Sequence, residues 1–191
     1  MKKLIFCILA IAFVAACSQA PSADENSSLS FSITYSEALG SEAFDGRLLL
    51  LIAANDEREP RFQVSDSNDT ARVFGIDVND WQAGETASIQ TGVFGYPIQD
   101  ISNIPPGEYY VQAMLHKYET FHLSTGKTVK LPKDQGEGQE WHISPKNLYS
   151  TPEKIKIDHS SAKSINIMLD NEIPPIEPAK DSQYIKHVRI E

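Results

Sequence analysis

The feature that most constrains the fold of this chain is an alternation of apolar and polar residues along short stretches. Aromatic and aliphatic residues alternate with serine and threonine in residues 31–35, and a period of two recurs in 72–78, 154–157 and 165–169. This period places successive side chains on opposite faces of a β-strand. Turn-forming residues separate the stretches, and no amphipathic helix is convincing. The sequence therefore predicts an all-β fold, an antiparallel β-sandwich of the immunoglobulin-like or transthyretin-like kind.

Three stretches refine this prediction. Residues 48–54 (LLLLIAA) form an apolar run that is typical of a strand buried on both faces, with a helix as the alternative because leucine is a good helix former. A Pro-Pro-Gly turn precedes residues 109–121, which are predicted to form a single long strand. Residues 122–152 break the pattern and predict one long irregular loop, which at such a length is often functional.

The first residues follow the pattern of an export signal. Two lysines precede the apolar run 4–13, whose ten residues reach only about half of a ~30 Å hydrocarbon core. Val14-Ala15-Ala16-Cys17 resembles the lipobox of bacterial lipoprotein precursors, which implies cleavage after Ala16 and a lipid on the Cys17 sulfur. Ser18, where a retention signal would have Asp, implies the periplasmic face of an outer membrane. The alternative is an ordinary secreted protein.

These patterns predict four regions: a signal peptide (1–16), a lipidated flexible tether (17–28), a β-sandwich domain (29–172), and a proline-rich linker with the start of a following domain (173–191). Eleven tether residues would span roughly 5–6 Å × √11, or about 18 Å. Residues 184–190 alternate again, like the opening of a further strand.

Composition excludes several classes of function. The net charge of −9 becomes about −11 when Lys2 and Lys3 leave with the signal, and so acidic a chain has no footprint for nucleic acid. Of the two cysteines, Cys7 would be removed and Cys17 acylated, so we expect neither a disulfide nor a thiolate metal site. No cofactor is predicted.

A set of short blocks carries a family resemblance. These blocks are residues 59–62, 74–78, 106–113 (PGEYYVQA), 131–135, 137–139, 144–150 (SPKNLYS), 173–176 and 186–190 (KHVRI). With them the chain resembles the N-terminal β-domain of exported bacterial esterase-type proteins, in which a catalytic α/β-hydrolase domain follows. This chain lacks the Gly-x-Ser-x-Gly nucleophile elbow of such a domain, so the resemblance implies an accessory module rather than an enzyme. A stand-alone protein, a split gene and a truncated frame all remain open.

Four residues of the long loop are candidates for contact with a ligand or partner: Trp141, Tyr149, His122 and Asp134. The two aromatic residues suit a sugar or peptide surface, although their pattern favours burial that anchors the loop. His122 with His116, and Asp134 with nearby acidic residues, are possible metal ligands, but their spacing favours structural or solvated roles.

The leading hypothesis is a non-catalytic, lipid-anchored module of the cell envelope. Its partners would be the membrane, through Cys17, and an α/β-hydrolase domain or protein. The alternatives are an envelope esterase component and a carbohydrate- or peptide-binding lipoprotein.

Overall fold

The computed structural model describes residues 29–160, 163–177 and 180–188. The predicted signal peptide and tether, including Cys17, lie outside these residues. Within the described ranges the chain forms short 3₁₀ helices at Glu37–Leu39, Pro60–Phe62 and Ile101–Asn103, and twelve strands: β1 (Leu29–Tyr35), β2 (Phe44–Ala53), β3 (Arg72–Trp81), β4 (Ala87–Gln90), β5 (Gly95–Tyr96), β6 (Gly107–Lys117), β7 (Glu119–His122), β8 (Thr128–Leu131), β9 (Leu148–Tyr149), β10 (Glu153–Ile157), β11 (Lys163–Leu169) and β12 (Asn171–Glu172). No helix among them is long and apolar enough to cross a membrane.

The strands form two sheets and a separate hairpin. The smaller sheet has the order β11-β1-β4, and the larger has the order β12-β9-β6-β2-β3-β5, with β10 also paired to β6. Strands β7 and β8 form the hairpin. Neighbouring described strands are antiparallel except β1 and β11, which are parallel. The predicted all-β fold is therefore confirmed, and its two sheets, antiparallel apart from this one pair, are compatible with the predicted sandwich.

One apolar core joins the two sheets. Phe31 and Ile33 of β1 belong to the same buried cluster as Leu48, Leu50 and Ile52 of β2, and all five are fully buried. Every second residue of β1 is buried, as its sequence predicts, because alternate side chains of a strand face opposite ways.

The apolar run predicted to be a buried strand forms the C-terminal part of β2, so the helix alternative is wrong. Its Leu51 faces away from the main core, yet it is fully buried in a second cluster with Met114 and Ile173. Trp141 and Tyr149 pack against this second cluster. The outer face of the larger sheet is therefore covered by later parts of the chain.

The predicted long strand 109–121 is in fact two strands. β6 pairs with β2 as far as Lys117 opposite Gly46, next to an irregular step in the β2 register. The N–H of Tyr118 then donates to Asp45 O at 2.8 Å, and β7 turns away to pair with β8. The break is caused by the partner strand β2, and the pattern of residues 109–121 carries no information about that strand.

The predicted irregular loop also needs correction. Residues 122–152 contain β8 and β9, and the irregular part is residues 132–147, here called the covering loop. Within residues 180–188, where a further strand was expected to open, the described backbone is not a strand. Ile173, placed in the linker by the sequence, is buried in the second cluster.

The domain has two distinguishable ends. At the Leu29 end, β1 begins beside Lys163 and Gln90 lies opposite Ser30. At the Tyr35 end, the Tyr35 ring lies 5.0 Å from the rings of Phe44 and Trp81. Six residue steps of β1 at about 3.3 Å each separate the two ends by roughly 20 Å.

Candidate functional site

The covering loop is fixed to the domain through Asn147, which is almost fully buried. Its Oδ1 accepts a hydrogen bond from the Lys117 N–H at 3.0 Å, and its Nδ2 donates to Trp141 O at 2.8 Å. Its carbonyl accepts from the Ile173 N–H at 2.9 Å. Through its side-chain amide and its backbone carbonyl, Asn147 thus joins the end of β6, the covering loop and the segment that follows β12.

Lys146, next to Asn147, has an unusual backbone conformation. Its φ of 68° lies in the left-handed region, which non-glycine residues adopt only when surrounding contacts compensate. Its N–H donates to Ile173 O at 2.8 Å, which supplies one such contact.

Arg61 fastens the other side of the loop. Arg61 is only 9% exposed, and its guanidinium is held by charge and by stacking. Its Nε lies 2.9 Å from Glu59 Oε2, in an ionic contact that is not aligned as a hydrogen bond. Nη1 donates to His142 O at 3.3 Å, and the guanidinium carbon lies 4.0 Å from the Tyr149 ring centre. Arginine suits this position because its planar cation can stack on an aromatic ring and donate to a carbonyl at once.

Gln112 completes this polar network from the outer face of β6. Its Oε1 accepts from the Arg61 N–H at 3.1 Å, while its Nε2 donates to Glu59 Oε2 at 2.8 Å and to Ser150 O at 2.9 Å. A fully buried amide would be costly without these partners. We interpret the network as the fastening that seats the loop on the sheet.

A cleft of about 670 Å³ opens at the Tyr35 end, between the fixed loop and the turn that precedes β2. Its walls are residues 39–45 on one side and residues 117–119, 133, 135, 144–147 and 172 on the other. Both signs of charge line it, and several charges are already paired: Lys133 with Glu119 at 3.3 Å, and Lys117 with Glu172 at 3.6 Å.

Lys117 is the least ordinary group in the cleft. Lys117 lies on the same face of β6 as the core residues Val111 and Leu115, and its Nζ lies 3.8 Å from the Phe44 ring centre. Burial lowers the pKa of its ammonium, and the nearby Glu172 carboxylate opposes that change without cancelling it. Within the described residues, neither Lys146 nor Glu42 forms an ion pair, so both charges are available at the rim.

The structure brings together two of the four predicted contact residues. Trp141 and Tyr149 pack against the second cluster and are half-buried. His122 lies on the β7–β8 hairpin, where its Nδ1 is 3.1 Å from Thr128 Oγ1. Asp134 Oδ1 accepts from the Gly136 N–H at 2.8 Å inside the covering loop. A contact role for these residues stays a prediction, as does lipidation of Cys17.

The structure also bears on metal binding and on catalysis by a serine. In the part of the chain that the structure describes, no group of three His, Cys, Asp or Glu side chains is arranged to hold a metal ion. Ser144 is buried, and its hydroxyl donates to Glu137 Oε1 at 2.9 Å. A catalytic serine instead requires its hydroxyl beside a base such as histidine.

The sequence alone did not single out Arg61, Asn147 or Lys117. Arg61 and Asn147 lie in the 59–62 and 144–150 blocks of the family resemblance, which is the one signal that could have drawn attention to them. Lys117 could have been noticed as a charged residue on the core-facing side of a predicted strand.

We expect Arg61→Ala to lower the free energy of unfolding by about 2 kcal/mol, because it removes a buried cation that stacks on the Tyr149 ring and offsets the charge of the partly exposed Glu59. Arg47→Ala is the matched control: its pair with Asp77 has a similar length, 3.0 Å, but its side chains are 36% and 64% exposed, against 10% and 38% for Arg61 and Glu59. An exposed pair is worth less than about 1 kcal/mol. Urea denaturation measures both, and equal losses would contradict the role of Arg61.

The lowered pKa of Lys117 predicts a pH dependence of stability. Between that lowered pKa and the ordinary value of 10.5, the folded state binds fewer protons than the unfolded state, so stability rises with pH. The free energy of unfolding of the wild type minus that of Lys117→Met should therefore increase as the pH rises toward 10.5. Urea denaturation across this range measures it.

Lys154→Met is the control of opposite sign. The hydrogen bond and charge of Glu108 raise the pKa of Lys154, so its favourable contribution is lost as pH rises through that raised pKa. If the difference in the free energy of unfolding between the wild type and Lys117→Met stays constant or falls as the pH rises, the Lys117 ammonium is not desolvated.

Comparisons with known proteins identify no protein that is similar to this chain. No protein-family model, no curated protein sequence and no solved structure matches the chain.

Proposed function

We propose that this protein is a non-catalytic, lipid-anchored module of the cell envelope, a β-sandwich of the immunoglobulin-like or transthyretin-like kind that holds an esterase-type hydrolase domain or protein at its Tyr35 end. The observation that carries the proposal is the position of the chain after β12. Glu172 lines the cleft, and Ile173 is buried beneath the covering loop. Whatever follows the sandwich along the chain therefore starts beside the cleft and the loop.

The proline-rich segment supports a contact surface at this place. Ile176 Cδ1 lies 3.7 Å from the position that a Cβ on Gly136 would occupy, so the segment runs along the covering loop. Ile176 and Ile143 are exposed apolar side chains, 48% and 38% respectively. Apolar residues bordered by charged ones such as Lys146 are typical of protein interfaces.

The fixed geometry of the loop also favours partner binding. Asn147 and Arg61 hold the loop before any partner arrives, so little conformational entropy is lost on association. The proposed anchor attaches at the opposite end, because the tether would enter at Leu29. In this arrangement the cleft faces away from the membrane, where a soluble hydrolase can reach it.

The cleft itself favours a second candidate, a module that binds a peptide. Its rim carries an unpaired cation, Lys146, and an unpaired anion, Glu42, within the described residues. Separated charges of opposite sign suit a ligand that carries both an amine and a carboxylate.

For the anchor, we expect the exported wild type to be recovered with membranes and to carry a diacylglyceryl group at its mature N-terminus. Cys17→Ser should abolish the lipid, because the thiol sulfur is the acceptor and a hydroxyl does not replace it. Mass spectrometry and membrane fractionation measure both changes. Cys7→Ser is the matched control and should behave as the wild type, since Cys7 lies in the predicted signal. A lipid mass retained in Cys17→Ser would contradict the anchor.

For the partner, we expect a neighbouring gene to encode an α/β-hydrolase with a nucleophile elbow, and the purified mature chain to bind that hydrolase. Lys146→Glu should weaken binding by about tenfold or more, equal to about 1.4 kcal/mol, because it inverts a charge at the rim of the cleft. Lys156→Glu makes the same change toward the Leu29 end and should leave the affinity unchanged. Titration calorimetry measures the three affinities.

Two results would overturn this partner. One is a gene neighbourhood and genome without such a hydrolase, which would favour the peptide-binding module. The other is hydrolysis of p-nitrophenyl esters by the purified chain alone that disappears in Ser144→Ala but persists in Ser102→Ala. That result would make the chain itself an esterase.

A further inference from the structure

The turn between β4 and β5 exposes two aromatic side chains. Phe94 is 69% exposed and Tyr96 is 55% exposed. They lie within residues 91–99 (TGVFGYPIQ), which contain no charged residue, although 23% of the chain is charged. We call residues 91–97 the aromatic turn. An exposed pair of large aromatic rings without neighbouring charge along the chain is unusual for a surface that only meets water.

The aromatic turn is rigidly held. Gly95 between the two rings is buried, and a Cβ there would clash with the Phe74 ring, so the backbone rests directly on the core. The Gly95 N–H donates to Gln99 O at 3.1 Å, and the Gly92 N–H donates to Asp100 Oδ2 at 2.7 Å. Because neighbours of an inward residue in an extended segment point outward, Phe94 and Tyr96 are presented together.

This turn lies at the Leu29 end of the domain. Gln90, the last residue of β4 before the turn, is opposite Ser30 at the start of β1. Tyr96 is opposite Val73, near the start of β3, and β3 begins where β2 ends. The chain that precedes Leu29 back to Cys17 would span only about 18 Å if flexible. A lipid on Cys17 therefore holds the aromatic turn close to the bilayer.

We propose that Phe94 and Tyr96 contact the headgroup region of the membrane that carries the anchor, and so orient the domain with its cleft away from the lipid. This inference rests on the proposed lipid attachment. Aromatic rings with a polar edge, as in tyrosine, favour the boundary between headgroups and acyl chains. The two rings carry no charge that would have to be desolvated, and the neighbouring Asp100 carboxylate already accepts hydrogen bonds from the Gly92 and Ser102 N–H groups.

The contact need not be strong to have this effect. The anchor keeps the turn at a high effective concentration near the bilayer, so a weak interaction can select one orientation. The chain is strongly acidic, with a net charge of −9, so attraction to anionic lipid does not explain the contact. We therefore expect it to occur on zwitterionic phosphatidylcholine and to be insensitive to salt.

The test imposes the anchor chemically. The mature chain, residues 17–191, contains one cysteine, so Cys17 can be coupled to maleimide-bearing lipids in phosphatidylcholine vesicles. Phe94→Trp and Tyr96→Trp each place a reporter in the turn, and lipids brominated near the headgroup quench it on contact. We expect quenching and a shift of the added emission to shorter wavelength, measured after subtraction of the wild-type signal from Trp81 and Trp141. Two separate variants guard against a misfolded one.

Met168→Trp is the matched control, since Met168 is 52% exposed but pairs with Thr34 toward the Tyr35 end. Its emission should not be quenched. Equal quenching at all three positions, or none at positions 94 and 96, would overturn the proposed orientation. Because the coupling supplies the anchor, failure of natural lipidation would leave this result unchanged and would count against the proposed anchor alone.

Discussion

The burial of both faces of β2 is the constraint on which the rest of the structure depends. Leu50 fills the core between the sheets, and Leu51, on the opposite face, is equally buried. An apolar sheet face cannot be left in water at little cost, so part of the chain must cover it. The covering loop does so with Trp141, and the strand that follows it, β9, does so with Tyr149. Because irregular backbone has no ladder of hydrogen bonds, side chains such as Asn147 must supply its partners.

The same constraint shapes the surface that we interpret as functional. Once the loop is fixed on the outer face, its edge faces the turn before β2, and the gap between them is the cleft. Lys117 lies in that gap because β6 continues past the covered part of the sheet. The Leu29 end has a different character, because it exposes the aromatic turn. The two ends thus suit different surroundings, which is the basis of both proposals.

The local alternation of apolar and polar residues predicted most of the strands. It failed where contacts with a distant segment of the chain determine the structure. The alternation in β1, β3, β10 and β11 was sufficient, because one face of each meets the core or a neighbouring layer. The break after Lys117 was not predicted, since it follows from the hydrogen bond to Asp45 on another strand. The parallel pairing of β1 with β11 joins residues more than a hundred positions apart, and periodicity carries no information on such partners.

The sequence by itself determined the main strands of the core and which of their faces are apolar, because the period of two is a property of the extended backbone. It also marked Trp141 and Tyr149 as residues that pack in or near the long loop. Only the tertiary structure decided that Arg61, Asn147 and Lys117 meet around one loop and one cleft. Their environment is set by contacts between segments far apart in the chain, and burial and charge at such a meeting point depend on all of those segments together.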